Sequence, residues 1–271
     1  MCLSTTKNGF RESSSLTFQS KATNKKINIP SQTIIDAVVN TNDYLMKLKP
    51  MFKEMGFDIF NGLGQRNLSG FVGEIFVRSF SKKNSNFLFN AHPDGRPDLI
   101  DLSSKKSEKH YNSNCFNTLA DGTVNPIRSK FAPYVYGGLE VKSSIGTPIS
   151  QYKKRLKENL GVPGFEIGMS RIDYLHSITY WGHHTSCENL IGLYYDYYNE
   201  ADFAPQILAV MHSEIDPSTD WRKVSTGKKE SKKTSNTSLT LQGQDKLYNN
   251  VITVINDQIY LDKLSSIGLN I

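Results

Sequence analysis

Cysteine is scarce in this chain: Cys2, Cys115 and Cys187 are the only three among 271 residues. An odd, widely spaced set does not make a disulfide framework, and no two of them have zinc-ligand spacing. His183, His184 and Cys187 cluster, yet a structural zinc site takes a full tetrahedral set and no further ligand lies nearby, so a polar loop before a strand is the favoured reading. No apolar run approaches the ~18 residues of a membrane helix. Residues 1 to 26 are polar, with no apolar core and no small-residue cleavage site of a secretory signal. A cytoplasmic protein without a membrane partner is expected. There is no internal repeat and no Gly-x-x-x-x-Gly-Lys-[Ser/Thr] loop, so ATP use by this chain is not expected.

The residues present are those of a globular protein, 38% hydrophobic and 21% charged, at a length that suits one large domain. The net charge of +6 and pI near 9.0 fit a polyanionic partner, although a basic surface also serves plain solubility. The distribution says more than the sum. Lys153, Lys154, Arg155 and Lys157 crowd one segment, and Arg222, Lys223, Lys228, Lys229, Lys232 and Lys233 another.

Residues 1–28 lack any period and are expected to form a flexible N-terminal segment, with 29–271 a single domain. Ser31 suits a helix N-cap, and Ile34, Ile35, Val38 and Val39 mark one helical face. The pattern continues to Phe52, with a break expected at Pro50. A second helix is expected from 67 to 80, with Leu68, Phe71, Val72, Ile75 and Phe76 at helical spacing and Glu74 embedded among them. Strands follow at 87–89, 97–102 and 137–142, separated by a polar insertion at about 103–133. A basic helix (149–160), strands at 174–180, 190–198 and 206–212, a basic loop at about 214–246 and an apolar segment (248–264) complete the chain. Helices first, then strands, predict an α/β (α+β) fold with a central mixed β-sheet flanked by helices.

On the 137–142 strand, Glu140 and Lys142 stand two apart and share a face, with Val141 directed to the opposite layer. If the strand carrying Asp98 is a neighbour, two carboxylates and an ammonium converge. Carboxylate oxygens suit magnesium, which keeps waters and takes phosphate oxygens as further ligands. A lysine beside them can orient an attacking water and offset charge on a phosphorane-like transition state. The plain alternative for Glu-x-Lys on a strand is a solvated face with a weak ion pair.

Pro97-Asp98 followed by Glu140-Val141-Lys142 resembles the PD-(D/E)xK nuclease motif, over roughly residues 66 to 145. The resemblance implies a restriction-endonuclease-like core and a type II restriction endonuclease that hydrolyses phosphodiester bonds of double-stranded DNA with Mg2+. It places the metal site at Asp98, Glu140 and Val141, catalysis on Asp98, Glu140 and Lys142, and an accessory acid at Glu74, which at the edge of an amphipathic helix could equally be a surface residue. Two departures stand out. The gap from Asp98 to Glu140 is long, which requires 103–133 to leave the sheet and return. Pro93-Asp94 is a rival pair, but Asp94 sits in a turn and Asp98 runs into a strand, which favours Asp98.

DNA contacts are expected from Ser143, Ser144 and Thr147 just past the motif, from Lys153 and Lys154, and from Arg222, Lys223, Lys228, Lys229, Lys232, Lys233 and Asn236. An ordinary solvated loop is the competing reading of the last group. The resemblance further implies a homodimer matched to a palindromic site, with residues 31 to 62 a candidate interface, and a cognate DNA methyltransferase as functional partner. Alternatives are a repair, recombination or modification-dependent nuclease on the same core, a non-catalytic basic DNA-binding module, and, remotest, a zinc nuclease at His183, His184 and Cys187.

Overall fold

The computed structural model describes residues 9–149, 169–182, 188–198, 204–223 and 237–271. A seven-stranded sheet runs, in spatial order, β1 (Phe10–Glu12), β15 (Val251–Ile255), β13 (Gln206–Glu214), β12 (Asn189–Asp196), β8 (Gly138–Ser144), β5 (Leu99–Asp101) and β4 (Phe87–Phe89). It is a mixed sheet: β12 and β8 are parallel, and every other neighbouring pair is antiparallel.

Alternation along the central strands divides two cores. Ile191, Leu193 and Tyr195 of β12 enter one, and Leu190 and Tyr194 enter the other, as the two-residue period of a strand requires. The first core lies under helices α1 (Ser31–Glu54) and α2 (Ile59–Lys83) and the hairpin β2–β3 (Leu16–Gln19, Lys26–Ile29). The second lies under α5 (Leu241–Tyr248) and α6 (Gln258–Ser266). The terminal apolar segment, left open between strand and helix, is both: β15 and then α6. No helix among the described residues is long and apolar enough to cross a membrane.

Helix α2 buries Leu68, Val72, Phe76 and Phe80 at i, i+4 spacing. It starts earlier than its periodicity suggests, because Asp58 caps it by accepting from the Phe60 and Asn61 amides at 3.0 and 3.2 Å. Gly64, at φ 64°, ψ 161°, bends it before the cleft-lining part begins.

Three expectations about this half change. Residues from 10 onward are not a flexible lead-in: β1 forms a sheet edge, and Leu16, Phe18 and Ile29 are core residues. Their alternation is too short to stand out in a polar sequence. Ser31 is the first helical residue rather than the cap, and its hydroxyl donates to Glu12. Helix α1 runs through Pro50, which is exposed and removes a single amide, so the helix tolerates it one turn from its end.

The long gap is resolved by a small excursion built of α3 (Lys105–Asn114), the hairpin β6–β7 (Phe116–Thr118, Val124–Pro126) and α4 (Arg128–Phe131). It has its own core of Cys115, Phe131 and Tyr134 against Ile100. The chain then returns to set β8 beside β5, Leu99 opposite Leu139 and Ile100 opposite Gly138. Gly138 has φ 148°, and a Cβ there would stand 1.9 Å from the Leu99 carbonyl oxygen. The remaining described pieces are short: β9 (Thr147–Pro148) with β10 (Leu175–Ser177), and β11 (Trp181–Gly182) with β14 (Thr237–Ser238). The expected helix at 149–160 lies outside the described residues, apart from Ile149.

Gly138→Ala is expected to cost about 2 kcal/mol or more, combining a disfavoured φ with a backbone clash. Urea melts followed by circular dichroism check this. A loss below about 0.5 kcal/mol would mean that the β5–β8 junction accommodates a side chain.

Candidate active site

Asp98 lies one residue before β5, and its carbonyl accepts from the Asn90 amide at 2.8 Å. Because β5 pairs with β8, its carboxylate reaches the middle of β8 and accepts from the Val141 amide at 2.7 Å. Glu140 and Lys142 flank Val141 on one face, as a strand dictates, while the Val141 side chain enters the first core. The Lys142 ammonium is 2.6 Å from Glu140 Oε1 and 3.9 Å from Asp98 Oδ2. The three motif residues therefore converge on one point. As a metal ligand Val141 has only its main-chain carbonyl to offer.

These charges are partly withdrawn from water. Side-chain exposure is 2% for Glu140, 23% for Lys142 and 27% for Asp98. Burial and then the neighbouring Glu140 charge push the Asp98 carboxyl up to about 7, while Lys142 and the Val141 amide hold it down. Glu74 adds a smaller upward push. Glu74 is exposed on α2 and lines the same cleft as Asp98 and Lys142, so the structure brings it to the site's edge, not into the charge cluster. The rival Asp94 is elsewhere: it pairs with Arg128 Nε at 3.5 Å in an exposed turn.

The cleft measures about 1150 Å³ and is bounded by α2 from Gln65 to Val77, by Asp98 and β8, by the turn into β9, and by residues 171 to 182. Ser143 and Ser144 do not present free hydroxyls to it. Ser143 donates to the Ser69 carbonyl on α2, and Ser144 donates to the Thr179 carbonyl at 2.9 Å. Each hydroxyl proton therefore serves a main-chain acceptor and ties β8 to its neighbours. Arg222 and Lys223 are exposed, and the Arg222 amide donates to Ser238, the strand partner of cleft residue Trp181. Lys153, Lys154, Lys228, Lys229, Lys232, Lys233 and Asn236 lie outside the described residues, as do His183, His184 and Cys187.

Two cleft residues carry no sequence signal. Arg171 is held at its amide by Asp196 at 2.9 and 3.0 Å and reaches Gln65 Oε1 at 3.4 Å. Asp196 is fully buried and also accepts from Ser170 and the Tyr197 amide. Trp181 stands on the cleft wall. Neither belongs to a spacing pattern, since tertiary packing alone brings them to Asp98.

Among the described residues no group of three or more His, Cys, Asp or Glu converges to hold a metal, so the protein's own oxygen donors at this point are two carboxylates. That set fits magnesium, which is commonly held by one or two carboxylates with water and phosphate completing the shell.

Compared with known proteins, the chain matches no family model, no curated protein and no solved structure.

The raised Asp98 carboxyl predicts a pH signature. The folded protein keeps this proton between about pH 4 and 7 while the unfolded chain has lost it, so its contribution to stability declines as pH rises through that window. Wild type should therefore lose melting temperature relative to Asp98→Asn from pH 4 to 7 in EDTA. Added Mg2+ should reverse the loss only toward and above pH 7, where the carboxylate is free to bind it. Parallel melting curves for the two proteins would refute the assignment.

Proposed function

We propose that this chain is a magnesium-dependent endonuclease that hydrolyses phosphodiester bonds of DNA at the Asp98–Glu140–Lys142 cluster. The observation that carries the reading is the convergence itself: an ammonium held between two carboxylates, beside an open cleft, from segments far apart in sequence. The ammonium occupies the place of a cation between the two acids. Surface ion pairs do not require this degree of burial.

Each residue then has a chemical task. Asp98, fixed by the Val141 amide, and Glu140 supply hard oxygen ligands. Mg2+ held by these two carboxylates would supply Lewis acidity toward the scissile phosphate and would lower the pKa of a bound water. Lys142 orients the attacking water and balances negative charge that develops on the phosphate. Glu74, exposed at the cleft edge, is suited to hold a further water. The basic character of the chain favours backbone binding through counterion release. In this reading the protein acts as a homodimer on a double-stranded, palindromic site, as a restriction enzyme with a protecting methyltransferase as its partner.

A digest of plasmid and phage DNA, unmodified and methylated, with Mg2+ or EDTA, tests the reading. Discrete fragments are expected with Mg2+ alone. Asp98→Asn, Glu140→Gln and Lys142→Ala should each lower the rate at least ~100-fold, with melting temperatures showing that each variant is folded. Tight DNA binding without cleavage on every substrate would overturn the enzyme and leave a basic binding module.

Glu74→Gln is expected to slow cleavage by roughly 10- to 100-fold, as an outer group that orients a ligand does. An unchanged rate would return Glu74 to the plain polar edge of α2.

A further inference from the structure

Of the chain's two tryptophans, Trp221 is 5% exposed and Trp181 is 62% exposed. The exposed one lies on the wall of the cleft that holds Asp98 and Lys142. Its backbone is fixed. Trp181 pairs with Ser238 across β11 and β14. Two residues earlier, the Thr179 carbonyl accepts from Ser144, and Thr179 Oγ1 accepts from Thr147 Oγ1 at 3.3 Å. Ser144 is two residues beyond Lys142 on the same strand. A short path of strand pairing and hydrogen bonds therefore ties the Trp181 backbone to the strand that carries the motif lysine. Folding gains little from leaving so much apolar ring in water.

The wall formed by α2 tells a related story. Gly70 and Gly73 sit inside the helix, where glycine is unfavourable. Packing does not require either one: an added Cβ meets nothing within 4 Å at Gly70 and only Ser143 Oγ, at 3.6 Å, at Gly73. Both line the cleft. Their absent side chains leave room inside it, and the buried Arg171 brings a guanidinium to the same space.

We propose that Trp181 is a stacking platform for a nucleobase, and that a duplex site is held with the base beside the phosphate to be cut turned out of the stack, so that the cleft prefers DNA in which that base is already unpaired. The nature of the ligand rests on the nuclease reading above. An indole face accepts any base by stacking, but only a base that has left its partner in the duplex can lie against it. The glycine wall admits the strand closely.

Tryptophan emission tests this in metal-free buffer, where no cleavage intervenes. The titrants are a 12-nucleotide single strand, the matching duplex, and that duplex with a central mismatched bubble. Strand and bubble should quench wild type at lower concentration than the duplex, and the quenching should vanish in Trp181→Phe, which leaves Trp221 as the sole reporter. Trp181→Ala should weaken strand binding, read by anisotropy of a labelled strand, by roughly 5- to 150-fold. Trp181→Phe should restore most of it, since a phenyl ring also stacks. Unquenched emission with all three DNAs, or equal strand affinity for wild type and Trp181→Ala, would overturn the proposal. The two readings can fail separately. Trp181-dependent binding with no Mg2+-dependent cleavage would remove the nuclease and keep the platform; cleavage indifferent to Trp181→Ala would do the reverse.

Discussion

Two carboxylates close enough to share one ammonium repel each other, and the geometry around them answers that repulsion. Asp98 and Glu140 could not both stay ionised in a partly buried site without nearby positive charge or donors. Lys142 supplies the charge and the Val141 amide supplies a donor, yet the Asp98 carboxyl still stands well above the ordinary carboxylate range. The cluster is therefore a cost to the fold. Natural proteins retain such destabilised clusters where function needs them.

Everything that fixes this cluster follows from one strand junction. Asp98 meets Val141 because β5 lies antiparallel to β8, and that contact is close because residue 138 has no side chain. The excursion between the two strands leaves their register intact because it folds on its own aromatic core and closes on Ile100. Ser143 and Ser144 then tie β8 to α2 on one face and to the Thr179 segment on the other. The motif strand is thus clamped from both sides just past its lysine.

Much of this was legible in the sequence. The helical period of Leu68, Val72 and Phe76 marked α2, the Ile, Leu, Val and Tyr content of 190–198 and 206–212 marked β12 and β13 as strands, and the i, i+2 rule placed Glu140 beside Lys142 with Val141 behind them. The local rules failed where tertiary context decides. Three-residue and four-residue strands near the N-terminus are too short to show a period, though Leu16 and Phe18 are fully packed. Proline near a helix end on an exposed face costs one hydrogen bond, not a helix. The Ser143 and Ser144 hydroxyls, just past Lys142, look free until the fold supplies a carbonyl for each. Arg171 and Trp181 come from a part of the chain distant from Asp98, with no repeat spacing to announce them.

The cleft is chemically uneven, and that unevenness bears on the kind of ligand it takes. Charge is concentrated at Asp98, Glu140 and Lys142, where the donors are few and fixed. Away from them the described walls carry the Trp181 indole, two helical glycines, the Arg171 guanidinium and the polar side chains of Gln65, Glu74, Thr147 and Thr179, while the Ser143 and Ser144 hydroxyls already donate to main-chain carbonyls. Under the nuclease reading proposed above, a polymer needs less from any single position, because its neighbouring units are held elsewhere on the surface and deliver the reactive phosphate to the charged point. On that reading, a site with its charge concentrated at one point suits such a substrate, and the net positive charge of the chain would serve the rest of the strand.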